Sequence, residues 1–526
     1  MITYNTIAHD LIAQHSLTLT IASTVLLAVL LSRLLRKDVT GKAQGCRPVA
    51  KRWQWDPVLG LDIVLAQIGA LKGNYYLPWL IELHSNMPKT FEINFFGKRQ
   101  IYTSEPDNLK AMTATNFHDF GIEPMRRHTK GSMPFADKGI STVDGKDWEF
   151  SRFLLKPFFY REVYTSTDRI EPFADHLMAL IPGDGESFNM QSLIQRWFLD
   201  LTTNFIFGKP MDALANPDRA RITWAMLDVL KGGRMRAQFY MMMWAFNWTW
   251  WYKAVAEVHD FINVHIRETY KEIEEREQRI RDGLPVEPER TDLIWYMAWN
   301  LRDEELLRSQ LCLVFVPNND TTSIFISNCI WHLARHPEAW EKLRQEVLAH
   351  GDAPLTFEAL RNMKYLQCVL NESKQPYHSL VSLLPPFDLT AHGFRALLNI
   401  RVCLNDSVLP VGGGKEAKEP FFVRKGDVVS ITKTVMYRDP EIWGNDAEEF
   451  KPERFDGRRV FWEFLPFGGG PRRCPAQMMV QTEAAYMLAR LARVYRRIEA
   501  RDPAPYTAVM RIGPSNKTGV QIAVYK

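Results

Sequence analysis

The sequence predicts a mainly α-helical protein with small β-sheets, in which one large domain follows an N-terminal transmembrane helix. Three observations lead to this prediction. An uncharged apolar run lies near the amino end, helical periodicity extends over most of the chain, and two short regions alternate apolar with polar residues. Since we find no interdomain linker after the anchor, we divide the chain into an anchor at residues 1–37 and a single domain at residues 38–526.

The apolar run is Leu17–Leu31, LTLTIASTVLLAVLL, and with its flanks it is long enough for about one bilayer crossing. A cleaved signal peptide would need positive charge before the run. Here Arg33, Arg36 and Lys37 follow it while Asp10 precedes it. The positive-inside rule therefore predicts a single-pass membrane anchor with the large domain in the cytosol.

The composition excludes several classes of protein. A formal net charge of +4 in 526 residues is too small for a nucleic-acid partner without a concentrated basic stripe, which we do not find. The six cysteines are scattered, with no CxxC pair, so neither a disulfide framework nor a structural zinc site is indicated. A reducing compartment fits best.

The predicted elements are mostly helices. Thr90–Thr103 is expected to form two short strands that turn at Gly97, and a second β region is expected between Arg401 and Thr434. Most other long segments have helical periodicity, among them Ile262–Arg279, Glu304–Leu311 and onward, Thr321–Ala334, Pro337–His350 and Gln477–Arg496.

The strongest chemical signal is Phe464–Gln477, FLPFGGGPRRCPAQ, a glycine-rich loop that leads into one cysteine and then a helix. Glycines let backbone lie against a flat cofactor without Cβ clashes, and loop and helix N-terminal amides stabilise an anionic sulfur. Thiolate-bound haem iron receives electron density that favours O–O cleavage. Arg472 supplies a fixed cation suited to a haem propionate. The alternative is a glycine loop beside a buried structural cysteine.

This segment resembles the cysteine loop of the cytochrome P450 family, F-x-x-G-x-R-x-C-x-G. Phe467, Gly470, Arg472 and Cys474 match it, and Ala476 replaces the last glycine. The resemblance implies the cytochrome P450 fold and a haem b cofactor, with Cys474 as the metal ligand and the other three matched residues at the cofactor.

Two further matches add site residues. Trp148 and Arg152 resemble the family's W-x-x-x-R helix, in which both side chains reach a propionate, and an (i, i+4) pair does share a helix face. The alternative is an exposed arginine beside a core tryptophan. Asp320 and Thr321 resemble the acid and hydroxyl of the oxygen-binding helix, which implies a catalytic role in proton delivery. Pro317 stands where that signature has a small residue, and a simple Asp/Thr turn is the alternative.

One family element is broken. Glu372 fits the E-x-x-R pair, but Gln375 replaces its arginine, and residues 374–396 form an atypical insert. We interpret the insert as translated intron sequence, which a spliced transcript encoding all of it would reject. Arg454 lies in a P-E-R-F element. We expect Glu372 unpaired and Arg454 without a proper partner, each costing on the order of a few kcal/mol, so an inactive relic is one alternative.

The nearest resemblance, over roughly residues 88–526, is to fungal membrane-bound P450s that hydroxylate n-alkanes and fatty acids. It implies a monooxygenase in the endoplasmic reticulum membrane that receives electrons from NADPH through NADPH-cytochrome P450 reductase, docked near Arg473. Two alternatives stay open: a P450 of secondary metabolism with another lipophilic substrate, and a haem enzyme that isomerises or dehydrates. The aromatic run Phe239–Trp251 is either a membrane-dipping entrance or ordinary helix core.

Overall fold

The computed structural model describes residues 45–238, 240–374, 398–511 and 513–526, together with Thr20 and Thr24. Apart from those two threonines, the predicted anchor at residues 1–37 lies outside the described residues, as does the atypical insert after Lys374. In the parts of the chain described, no helix is long and apolar enough to span a bilayer.

Helices dominate the described chain, as predicted. In order, they are α1 Leu61–Lys72, α2 Tyr76–His84, α3 Pro106–Lys110, α4 Glu123–Arg126, α5 Gly145–Leu155, α6 Arg161–Thr165, α7 Glu171–Ala179, α8 Met190–Phe207, α9 Ile222–Gln238, α10 Thr249–Arg281, α11 Leu293–Asn300, α12 Glu304–Leu333, α13 Pro337–Ala349, α14 Phe357–Asn362, α15 Lys364–Glu372, α16 Lys433–Met436, α17 Pro440–Trp443 and α18 Gln477–Val494. Short 3-10 or π turns add Ala111–Thr115, Phe117–Asp119, Lys156–Phe159, Pro217–Arg221, Tyr240–Ala245 and Pro452–Phe455. The stretches named for their helical periodicity fall on α10, α12, α13 and α18, and only their ends differ.

Helix α12 runs through the centre of the molecule and packs against α8, α10 and α18. It starts where the Asp303 side chain accepts a hydrogen bond from the amide of Leu306, which satisfies one of the free donors of the first turn. Phe315 joins the core with Phe207 and Trp251, and Ile330 joins a second core. A helix that is buried on nearly every face belongs to the interior of a large domain.

The strands form small sheets. They are β1 Ala50–Lys51, β2 Thr90–Phe95, β3 Lys98–Thr103, β4 Phe120–Gly121, β5 Phe188–Asn189, β6 Leu398–Cys403, β7 Ser407–Gly413, β8 Glu419–Val423, β9 Val428–Thr432, β10 Arg497–Ala500, β11 Ala508–Met510, β12 Pro514–Asn516 and β13 Gln521–Tyr525. Six of them are ordered β1-β2-β3-β9-β6-β4, and the other groupings are β10-β13-β5, β11-β12 and β7-β8.

The predicted hairpin is confirmed. Strands β2 and β3 are antiparallel, with Thr90 opposite Thr103 and Phe95 opposite Lys98, and Gly97 turns between them at φ +70°. Strand β9 adds to β3 in parallel. The two predicted β regions therefore meet in one six-stranded sheet, while β7 and β8 form a separate pair.

The described side chains of the aromatic run, residues 243–251, divide between core and surface. Trp251 is fully buried and donates its indole N–H to the carbonyl of Val229 at 3.0 Å, and Trp248 is 8% exposed. Trp244 and Phe246 are 84% and 39% exposed. A membrane-contact role for Trp248 and Trp251 is therefore wrong, while Trp244 and Phe246 present an apolar surface.

The expectation that Glu372 and Arg454 lack partners is also wrong. Arg454 Nε donates to Glu372 Oε1 at 3.1 Å, and the backbone amide of Lys451 donates to the same oxygen at 2.9 Å. The remaining guanidinium hydrogens reach Asp446 and three backbone carbonyls. The side chains of Glu372 and Arg454 are 0% and 4% exposed, so this pair fixes α15 against the Pro452–Phe455 turn from within the core.

We predict that Glu372→Ala lowers the free energy of unfolding by about 3 kcal/mol, because it leaves a buried guanidinium without one of its two carboxylates. Urea denaturation of the purified protein measures the loss. The matched control is Glu453→Ala, one residue before Arg454 in the same turn. Its ion pair with Lys342 is 40% and 54% exposed, so we expect a change of only about 0–1 kcal/mol. Equal losses in both variants would contradict the structural role.

Candidate active site

A cavity of about 970 Å³ lies between α12 and the cysteine loop. Its walls also include α5, α9 and strand β6, so elements from distant parts of the chain meet there. Six of the predicted site residues line it: Trp148, Arg152, Thr321, Phe467, Arg472 and Cys474. Asp320 directly precedes the wall residue Thr321, and Gly470 lies between the wall residues Gly468 and Arg472, two positions from each.

The cysteine loop is held in one shape by its own backbone. The amide of Cys474 donates to the carbonyl of Phe467 at 2.9 Å, and the amide of Arg473 donates to that of Gly470 at 3.1 Å. Gly470 has φ +64°, and a Cβ there would lie 1.8 Å from the backbone oxygen of Thr113. Glycine is therefore required at this position, both for the backbone angle and for the close approach.

The Cys474 thiol is the group in this loop that can bind a metal. Burial raises its pKa, while a hydrogen bond from the amide of Ala476 and the charges of Arg152 and Arg473 act in the opposite direction. A metal cation on the cavity side would favour the thiolate further. The other five cysteines are buried. Cys474 keeps part of its surface accessible, and the cavity is the space that it faces.

Arg472 is fixed at the cavity wall by three contacts. Its guanidinium donates to Asp144 Oδ1 at 2.5 Å and to the carbonyl of Val143 at 2.8 Å, and it lies 4.7 Å from the centre of the Trp148 ring. Burial lowers the pKa of Arg472, and the charge of Asp144 partly restores it. Arg152, one turn beyond Trp148, donates to the carbonyl of Arg473 at 3.0 Å.

Sequence reasoning missed Asp144. Besides Arg472, this carboxylate accepts hydrogen bonds from the amides of Ile122 and Glu123 at 2.9 and 2.8 Å, so it joins the start of α4 to the cysteine loop. Sequence reasoning likewise did not identify the cationic wall residues Arg126, Arg401 and Lys433. None of these belongs to a local pattern, because their common position arises only when the chain folds.

The wall fits a haem b group. The glycines of the loop let its backbone lie close to a flat ring. The Cys474 sulfur can bind the iron, and the cations around Trp148 can pair with the two propionates. Arg152 and Arg472 would hold those carboxylates, with Trp148 beneath Arg472.

Asp320 and Thr321 lie within the continuous helix α12, so the alternative of a simple Asp/Thr turn is wrong. The hydroxyl of Thr321 donates to the carbonyl of Pro317 at 3.0 Å, and Thr321 lines the cavity. Asp320 is 6% exposed, and its Oδ1 lies 3.6 Å from the Arg511 guanidinium. Arg511, another wall residue, was not foreseen from the sequence.

Comparison with known proteins agrees with this geometry. The family model described as Cytochrome P450 matches residues 67–390 and 396–507. Cytochrome P450 monooxygenase iliC of Neonectria sp. (strain DH2) is 93% identical over 520 residues, which cover 99% of this chain and 100% of that protein. Cytochrome P450 monooxygenase iccC of Talaromyces variabilis is 66% identical, over 96% and 97% of the two chains. Cytochrome P450 monooxygenase tenA of Beauveria bassiana is 58% identical, over 97% and 98%.

Both the extent of these matches and the cysteine loop under α12 lead to one assignment. The chain belongs to the cytochrome P450 family, and it is a monooxygenase.

Proposed function

We propose that the protein is a haem-thiolate monooxygenase of fungal secondary metabolism, which inserts one oxygen atom into a lipophilic substrate. The observation that carries the proposal is Cys474 in the wall of a large, mainly apolar cavity that Thr321 of α12 also lines. The three relatives described above come from fungi, and none of their names mentions an alkane or a fatty acid. We therefore favour secondary metabolism over the n-alkane or fatty-acid hydroxylase that the sequence resemblance implied.

Haem b, held by Cys474 with its propionates at Arg152 and Arg472, would supply the iron at which dioxygen is activated. The protein's part is to hold that group and to shape the space beside it. Asp144 keeps Arg472 in place. Leu155, Leu313 and Val314 give the cavity apolar walls, which exclude water from the reacting atoms.

Thr321 and Asp320 are placed to move protons. The Thr321 hydroxyl is both a donor and an acceptor, and by rotating away from the Pro317 carbonyl it can donate into the cavity. Asp320 is its chain neighbour and forms an ion pair with Arg511. A carboxyl group beside a hydroxyl can pass a proton to it, and the hydroxyl can then donate a proton into the cavity.

Electrons would come from NADPH through NADPH-cytochrome P450 reductase. Arg473 is exposed, and its backbone directly precedes Cys474, so its charge suits an acidic docking surface on the reductase. We further propose that residues 1–37 anchor the chain in the endoplasmic reticulum membrane. The exposed Trp244 and Phe246, 84% and 39% accessible, would add an apolar contact with the bilayer surface.

Oxygen incorporation tests the proposed reaction. Haem-loaded protein, reductase and NADPH are incubated under ¹⁸O₂ with a lipophilic extract. The extract is prepared from the organism that carries this gene, after deletion of the gene. We expect a metabolite of the extract to gain one ¹⁸O atom, as detected by mass spectrometry. A product that forms without ¹⁸O would instead indicate isomerisation or dehydration, and would contradict monooxygenation.

The proton route predicts a specific loss in Thr321→Ala. We expect NADPH consumption to continue while product formed per NADPH falls by about a hundredfold or more, because proton delivery is the step that general acid groups accelerate. Product and NADPH are quantified in the same reaction.

The matched control is Ser323→Ala in the same helix. Its hydroxyl likewise donates to the carbonyl four residues before it, at 2.7 Å, but Ser323 is not a wall residue of the cavity. We expect its product yield per NADPH to equal that of the parent. The same yield in Thr321→Ala would show that Thr321 has no part in proton delivery.

A further inference from the structure

One face of α9 forms part of the cavity wall. The wall residues on this helix are Val229, Leu230, Gly233, Arg234 and Ala237. Their spacing, i, i+1, i+4, i+5 and i+8, is that of a single helix face. Four of the five are apolar or glycine, so Arg234 brings a cation to an otherwise apolar surface.

Arg234 lines the cavity, and its side chain is half-buried. Burial lowers its pKa to about 10, against a smaller opposite effect of Tyr76. A guanidinium with this pKa is still protonated at neutral pH, so α9 contributes a permanent positive charge to the cavity.

Arg236, two residues later on the same helix, lies in the packing between helices and has a structural role. Its guanidinium donates to the carbonyls of Lys130 and Met133 at 3.3 and 3.1 Å and lies 4.3 Å from the centre of the Trp251 ring. Arg236 is buried in the packing between α9 and α10, and it is not a wall residue. The two arginines of this turn therefore face different surroundings.

The cation on α9 is also separate from the cations at the cysteine loop. Arg234 lies on α9, whereas Arg152 lies on α5 and Arg472 in the cysteine loop, and all three line the same cavity. Arg234 therefore adds a cation to a part of the wall that a different helix forms.

We propose that Arg234 binds an acidic oxygen group of the substrate, a carboxylate or a similar oxyanion, and so orients the apolar part of the molecule toward Cys474. This inference rests on the proposed function, because it takes the cavity to be the site of a lipophilic substrate. A guanidinium donates charge-assisted hydrogen bonds to such a group. Apolar walls strengthen those bonds by keeping water away.

Two probes of equal chain length test the proposal. Dodecanoate carries a carboxylate, and dodecan-1-ol carries a neutral hydroxyl. Their dissociation constants are measured with haem-loaded parent, Arg234→Gln and Arg234→Lys by equilibrium dialysis at pH 8, where dodecanoate is ionised. We expect Arg234→Gln to weaken dodecanoate binding by roughly 10- to 100-fold, the usual worth of a charge-assisted hydrogen bond, and to leave dodecan-1-ol within about twofold. Arg234→Lys keeps the charge without the planar fork, so a smaller loss is expected.

The matched control is Lys231→Gln, which removes the same charge from the same helix. Lys231 lies over the Trp250 ring, 5.4 Å from its centre, and is not a wall residue. We expect its affinity for both probes to equal that of the parent. If Arg234→Gln does not fold, the ratio of the two dissociation constants in Arg234→Lys gives the answer instead.

The outcomes separate the two proposals. If the parent binds both probes with equal affinity, or if Lys231→Gln loses dodecanoate binding as much as the Arg234 variants do, the role of Arg234 is overturned and the lipophilic-substrate proposal stands. If the parent binds neither probe, the inference that Arg234 receives the acidic end of an apolar molecule fails, whereas the ¹⁸O₂ experiment decides the proposed function independently.

Discussion

An anionic sulfur inside a cavity is the constraint on which the rest of the structure depends. Burial disfavours the charged form of the Cys474 thiol, and the Ala476 amide with two arginine charges works against that effect. The loop can present these groups only because Gly470 lets it approach the backbone of Thr113. With the sulfur fixed, Arg472, Trp148 and residues of α12 complete the cavity wall around it.

Each of the buried charges described above has a definite structural position. Arg454 and Glu372 join α15 to the turn after α17, and Arg472 and Asp144 join the cysteine loop to the start of α5. Removing one partner of such a pair costs several kcal/mol of stability, although the intact pair adds little net stability. The main effect of these pairs is therefore to fix the relative positions of the elements that they join. Arg234 differs because its charge faces the cavity.

Local patterns were sufficient to predict the helices, the Thr90–Thr103 hairpin and the position of Cys474, because periodicity and glycine spacing are properties of neighbouring residues. Pairings across the chain were not predictable in this way. Gln375 at the E-x-x-R position suggested an unpaired Glu372, whereas Arg454, 82 residues away, donates to it. Asp144, Arg511 and Arg234 belong to no motif, and Trp251 looked suitable for a membrane surface although tertiary packing buries it completely. In each of these cases the outcome depends on contacts between residues that are far apart in the sequence.

The most direct test of the account is the absorbance spectrum of the reduced protein with carbon monoxide, recorded for the parent and for Cys474→Ser after both are loaded with haem. Only a thiolate-ligated ferrous haem gives the strongly red-shifted Soret band of this family. We predict that band in the parent and its loss in Cys474→Ser. A Cys474→Ser protein with the same spectrum as the parent would contradict the assignment of Cys474 as the iron ligand.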